Sequence, residues 1–208
     1  MRRLSISLLA LAILSGRAVS QSTRSASSVH VERTEFNDRA MNIFGVLAQK
    51  YKVVIGVSGT LIGSDSRVVN VSLESGTLKD VLDVIVTQDT RFQWQQNSNG
   101  SIHVSIKNSP LTLLDITVPV FDAENPKRAE IVDQLSQIPE TSTWLRQHEC
   151  SMEEMFAGPP AREWGQFSVH LKDVPLSSVL DEIAASSRTF FWSAIKYNNR
   201  PCAINVKP

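Results

Sequence analysis

Cysteine is nearly absent: Cys150 and Cys202 are the only two in 208 residues. That count excludes a disulfide-dense scaffold and any zinc site built on several thiolates. Long apolar runs are also missing. The longest, Leu4 to about Leu14, falls short of the roughly 20 residues a helical membrane span needs. Charge of one sign does not accumulate, since 21 basic side chains balance 21 acidic ones. Without a Lys/Arg cluster there is no electrostatic footprint for nucleic acid or anionic lipid. The chain has no His-Glu-x-x-His, no Gly-x-Ser-x-Gly and no Gly-rich phosphate loop, so no local motif supplies a catalytic residue, a cofactor or a metal.

The N-terminus reads as an export signal. Met1-Arg2-Arg3 precedes the apolar run, and Ala18-Val19-Ser20 forms a small-x-small site before Gln21. Cleavage near Ser20-Gln21 removes Arg2, Arg3 and Arg17, leaving 18 basic against 21 acidic side chains and a net charge of −3. The expected location is periplasmic or secreted. Residues 21–28 are polar and aperiodic, which predicts a flexible leader. In an oxidising compartment Cys150 and Cys202 read as one disulfide, closing a loop of about 50 residues worth roughly 4 kcal/mol in the chain-entropy model. Two buried free thiols are the alternative.

What the chain does have is a repeat. Leu78-Lys79-Asp80-Val81-Leu82-Asp83-Val84-Ile85 recurs as Leu176-Ser177-Ser178-Val179-Leu180-Asp181-Glu182-Ile183. Val71, Leu73, Phe92 and Trp94 recur at the same offset as Val169, Leu171, Phe190 and Trp192. The shared pattern is apolar at i, i+3, i+4 and i+7, the buried stripe of a helix, so it describes packing before chemistry. Two small related modules follow, 29–108 and 109–208, either sharing one core or standing as separate beads. The fold class is α+β, with helices packed on short mixed or antiparallel sheets.

In the first module the pattern predicts a short strand at 30–32, a helix over 36–51, strands at 53–57 and 69–73, and the repeat helix opening near Thr77. Phe92 and Trp94 alternate with glutamines, Asn97-Ser98-Asn99-Gly100 turns, and Ile102, Val104 and Ile106 alternate again, which makes a hairpin. The second module predicts a strand over 113–121, a helix over 124–138 stopped by Pro139, an irregular insert over 140–166, the strand at 167–171, the repeat helix after Pro175, and a final strand pair.

Several residues invite a functional reading. Asp83 and Asp181 recur as a pair, but both fall on predicted solvated helix faces. His103 and His170 take outward strand positions and read as surface residues. His148, Cys150, Glu153 and Glu154 sketch a metal cluster, against which stands the better use of Cys150 in a disulfide. Trp94 and Trp192 read as core, with a stacking platform as the alternative. Inside the insert Trp144, Met152, Met155 and Phe156 lie outside the repeat and read as an apolar group that either covers a core edge or meets a partner.

The first helix ending Leu47-Ala48-Gln49-Lys50-Tyr51, the Val69 to Leu73 strand, Gly76-Thr77-Leu78 opening a helix with Val81-Leu82-Asp83, and the Phe92 to Ile106 hairpin resemble the secretin and TonB short N-terminal (STN) domain family. Residues 167–206 resemble the latter half of the same domain, and 111–166 depart from it. The resemblance implies a non-catalytic periplasmic module that docks other envelope proteins. The chain ends at Pro208 without an outer-membrane barrel, so the expectation is a freestanding exported adaptor. Sheet-edge pairing is its expected mechanism. A carbohydrate- or peptidoglycan-binding module using Trp144 and Trp164 is the second expectation, and a hydrolase sited near His148 the third.

Overall fold

The computed structural model describes residues 25–61, 67–154, 166–197 and 202–207. The export signal therefore lies outside the described residues, as do Met155, Phe156 and Trp164. The fold is α+β, and apart from two two-residue strands in the first half and one extra helix in the second its elements run twice through one order. The first half contains a 3-10 turn (Ala26–Ser28), β1 (His30–Val31), β2 (Thr34–Arg39), α1 (Ala40–Tyr51), β3 (Ile55–Leu61), β4 (Val68–Leu73), β5 (Gly76–Thr77), α2 (Leu78–Gln88), β6 (Phe92–Gln96) and β7 (Ile102–Ile106). The second half contains a 3-10 turn (Thr112–Asp115), β8 (Thr117–Glu124), α3 (Arg128–Gln137), α4 (Pro139–Gln147), β9 (Ser151–Glu154), β10 (Ser168–Pro175), α5 (Leu176–Ser186), β11 (Phe191–Tyr197) and β12 (Ala203–Lys207).

The repeated octets form α2 and α5. Leu78, Val81, Leu82 and Ile85 are fully buried, as are Leu176, Val179, Leu180 and Ile183. Thr77 caps α2 in a reciprocal box: its Oγ1 accepts from the Asp80 amide at 3.3 Å, and the Asp80 carboxylate accepts from the Thr77 amide at 2.7 Å. The Thr77 hydroxyl also donates to that carboxylate at 2.7 Å, and this bond together with the one from the amide holds the Asp80 carboxyl below its ordinary range.

Several boundaries differ from the sequence pattern. Residues 36–39 are strand rather than helix, because Thr34 to Arg39 pair antiparallel with Leu73 to Val68. Helix α1 begins only at Ala40, and Lys52 closes it in the left-handed region at φ 53°. The buried strand expected at 53–57 runs from Ile55 to Leu61. Residues 112–115 form a 3-10 turn before β8 rather than continuous strand. Helix α3 stops at Gln137, just before Pro139 as expected, but Pro139 also starts a second helix: lacking an N–H, it occupies the first turn of α4, where no intrahelical partner exists. The insert is thus regular over 140–147 and 151–154. Residues 25–28, expected to be flexible, include a turn with Ala26 buried.

One mixed sheet of order β6-β7-β3-β11-β12-β9 runs through both halves. Within the first half β6 is antiparallel to β7, which is parallel to β3; within the second β11 is antiparallel to β12, which is parallel to β9. The halves join where β3 lies parallel to β11, Ile55 opposite Phe191 through Leu61 opposite Tyr197. Following these senses across the sheet, β6-β7-β3 and β11-β12-β9 keep the same lateral order but reverse direction. A half-turn about an axis along the sheet relates them, and it exchanges the two faces.

Side-chain parity agrees with that symmetry. Along β11, Ile195 belongs to the first core, with Phe191 and Tyr197 packed against it, while Trp192 and Ala194 belong to the second. Helices of the first half therefore cover one face and helices of the second half the other. The opposite face of β6 and β7 carries Gln93 and Gln95, which are exposed, and Ser105 and His103, which are half-buried, His103 lying against Asp181 of α5. Two-stranded ladders β2-β4 and β8-β10 lie apart from this sheet. The modules are neither beads nor a single core: two clusters are divided by a shared sheet.

Candidate functional site

Three places deserve comparison by geometry: the junction between the halves, the groove at Trp144, and the free edges of the sheet.

The junction contains a buried carboxylate. Asp181 on α5 accepts from Trp192 Nε1 at 2.7 Å, from Ser101 Oγ at 2.7 Å and from Asn99 Nδ2 at 3.3 Å. His103 Nε2 lies 3.0 Å from both carboxylate oxygens. Only 5% of the Asp181 side chain is exposed. The expected solvated helix face is wrong for Asp181 because the neighbouring half covers it, and His103 is drawn in rather than solvated for the same reason. Trp192 fits there because Gly56 sits opposite it on β3: a Cβ at Gly56 would stand 2.1 Å from the indole. His103 meets the same indole edge-on at 5.3 Å. Trp192 is thus core, as the pattern implied.

This cluster resembles a catalytic constellation only in composition. Asp181 lies between Ser101 and His103, and the Ser101 hydroxyl has Asp181 Oδ2 at 2.7 Å and Asn99 Oδ1 at 2.8 Å as its acceptors, with His103 bonded to the carboxylate and not to Ser101. A nucleophile needs its base on that proton and open space beyond it. Ser101 is buried. The arrangement satisfies a buried charge and fastens α5 to β7 and β11. Asp83 is the first-half counterpart: it accepts from Trp94 Nε1 at 2.9 Å and pairs with Lys79, but 44% of its side chain is exposed. Sequence reasoning missed these bonds, although both Asp-to-Trp spacings of eleven residues were visible in it.

At Trp144 a shallow cavity of about 400 Å³ is lined by Ile116, Pro139, Glu140, Thr143, Trp144 and Gln147. Four of these share one face of α4. The indole stacks on His148 at 3.9 Å and donates to Thr112 Oγ1 at 3.2 Å, which holds it half-buried. Met152, on β9, packs against the second core. Cys150 and Cys202 form the expected disulfide, with Cα atoms 4.4 Å apart, clamping the turn before β9 to the start of β12. Cys150 is therefore no metal ligand. Among the described residues no group of three or more His, Cys, Asp or Glu is placed to hold a metal. His170 lies in the open as expected, 2.9 Å from Asp122.

Among the described residues the sheet edges are β6 and β9. Lys107 N donates to Arg91 O at 2.7 Å and Asn97 N to Ser101 O at 2.8 Å. Antiparallel alternation then turns the main-chain groups of residues 93 and 95 toward β7 and those of Trp94 and Gln96 outward. Among the described residues no strand pairs on that side. The sequence Phe-Gln-Trp-Gln-Gln carries no charge and no proline, so it lacks the usual guards of an exposed edge. Behind it, burial pushes the Asp89 carboxyl up, but the hydrogen bonds and charge of Arg91, with Arg67 beyond, outweigh that and hold it low. No helix among the described residues is long and apolar enough to cross a membrane.

The chain matches no protein-family profile, no curated protein and no solved structure.

Proposed function

We propose that this protein is an exported, non-enzymatic interaction protein of the bacterial cell envelope, which docks another envelope protein by taking a strand of that partner onto the outer edge of β6. The observation that carries the reading is the outward main chain of Trp94 and Gln96 on an uncharged edge strand. Main-chain hydrogen bonds supply affinity in such pairing, and flanking side chains supply selectivity. Support for export comes from the Met1 to Ser20 pattern and from the Cys150–Cys202 bridge, a bond that persists in oxidising compartments. Support for docking comes from the resemblance of residues 30–107, in sequence, to the STN family, whose domain docks other envelope proteins.

The test is capture from envelope extracts with the wild-type chain beside Gln96→Pro, which removes one outward N–H. A specific protein held by the first and lost by the second supports the reading. Recovery of no specific protein, with glycans bound instead, overturns it.

The groove at Trp144 favours a second reading, a glycan-binding module, since an indole beside Glu140, Thr143 and Gln147 offers an apolar face with polar neighbours. Peptidoglycan fragments should then quench tryptophan fluorescence in the wild type and not in Trp144→Ala.

A further inference from the structure

The bond between the two halves is itself a worked case of strand pairing on a β6-type edge. By the repeat offset Trp94 corresponds to Trp192, so β6 corresponds to β11, and the lateral order makes β3 correspond to β9. At the junction Ile55 N donates to Phe190 O at 2.9 Å, and parallel alternation turns the main chains of Trp192 and Ala194 toward β3. Those two residues are the counterparts of Trp94 and Gln96, whose main chains face outward from β6. Among the described residues the same edge is filled inside the molecule and open at its end.

The opposite end is complementary. Ser151 N donates to Cys202 O at 2.9 Å, so the residues of β9 alternate and Met152 turns its main chain away from β12. On β3 the equivalent side is the one that receives β11. A β3-type edge and a β6-type edge thus lie at the two ends of one sheet, with the polarity they have where they already meet. The 3-10 turn Ala26–Ser28 does not change this. Ser25 Oγ and Ser27 N donate to the Gln96 side chain, yet the matching turn Thr112–Asp115 packs on α5 while β11 pairs with β3.

We propose that copies of this chain add head to tail, with β9 of one molecule lying parallel on β6 of the next and continuing the mixed sheet. The inference rests on the reading that β6 accepts a strand, and names that strand. The contact is heterologous, so it does not close on itself by a twofold axis and permits stacks longer than two. One β6 edge stays uncovered at the end of each stack, where the envelope partner docks. Strand β9 has four residues against seven in β3, and lacks a glycine to match Gly56. The copy-to-copy contact is accordingly weaker than the internal one and builds with concentration.

Sedimentation and hydrogen exchange on the oxidised chain test this together. The expected result is a weight-average mass that rises past about twofold with concentration, the open-ended growth of a heterologous contact. Slowed exchange should appear at both 92–96 and 151–154. Gln96→Pro and Met152→Pro, each checked for folding by circular dichroism, should be monomers alone and a one-to-one dimer when mixed. Exchange on the unmodified chain decides the matter if either variant fails to fold. A chain monomeric at every concentration, or a dimer protected at β6 but not at β9, overturns the proposal. If that monomer still captures an envelope protein through β6, only the stacking fails; if β6 takes neither copy nor partner, both readings fail.

Discussion

Trp192 Nε1 donates to Asp181 Oδ1 at 2.7 Å, and the same bond joins Trp94 to Asp83 at 2.9 Å one repeat earlier. One carboxylate is buried at the junction and the other is open to solvent, so equal chemistry carries unequal weight. Replacing Asp181 with Ala strips a common acceptor from four donors in a closed site. Breaking a buried charge network of this kind costs on the order of 3 kcal/mol. Urea unfolding should register that loss for Asp181→Ala, and less than about 1 kcal/mol for Asp83→Ala, whose carboxylate is solvated.

Gly56 gives way to the Trp192 ring, and any Cβ there would overlap it. Gly56→Ala should destabilise by about 1–3 kcal/mol, the usual penalty of an overpacked core. Adding Trp192→Leu should recover part of the loss. Thermal melts of the single and double variants check this.

The disulfide spans 52 positions and secures the edge strand β9. Reduction, or Cys150→Ser with Cys202→Ser, should lower stability by roughly 4 kcal/mol on the loop-entropy account. Denaturant midpoints in the presence and absence of reductant measure it.

Asp89 is buried at the end of α2, and Arg91 binds it through Nε at 2.8 Å and Nη2 at 2.5 Å. Its carboxyl is depressed below the ordinary value of 3.8. A depressed carboxylate contributes stability above its unfolded value, and that contribution is lost as pH falls through the folded one. Stability should therefore drop on acidification below about pH 4, the ordinary carboxylate range. Asp89→Asn should be less stable at neutral pH and show a shallower acid loss.

The helical phase of Leu78 to Ile85, its recurrence at Leu176, and the Asn-Gly hairpin were legible because local periodicity and turn chemistry determine them. Strand 34–39 was not, since Phe36 fits a helical stripe as well as a strand and only the ladder to β4 decides between them. Nor was the helix after Pro139, because proline breaks a helix interior but suits a first turn. The fates of Asp181 and His103 depended on the half-turn between modules, which puts the second half's α5 over the first half's β7. No local pattern encodes that placement. For the Trp144 groove, the sequence supplied the indole but not its stacking on His148.

The most direct measurement is residue-resolved hydrogen exchange on the chain bound to a captured envelope partner. The account predicts slowed exchange at the Trp94 and Gln96 amides, whose N–H groups would enter the added ladder. Unchanged exchange across 92–96, with protection confined to the Trp144 groove, would contradict it.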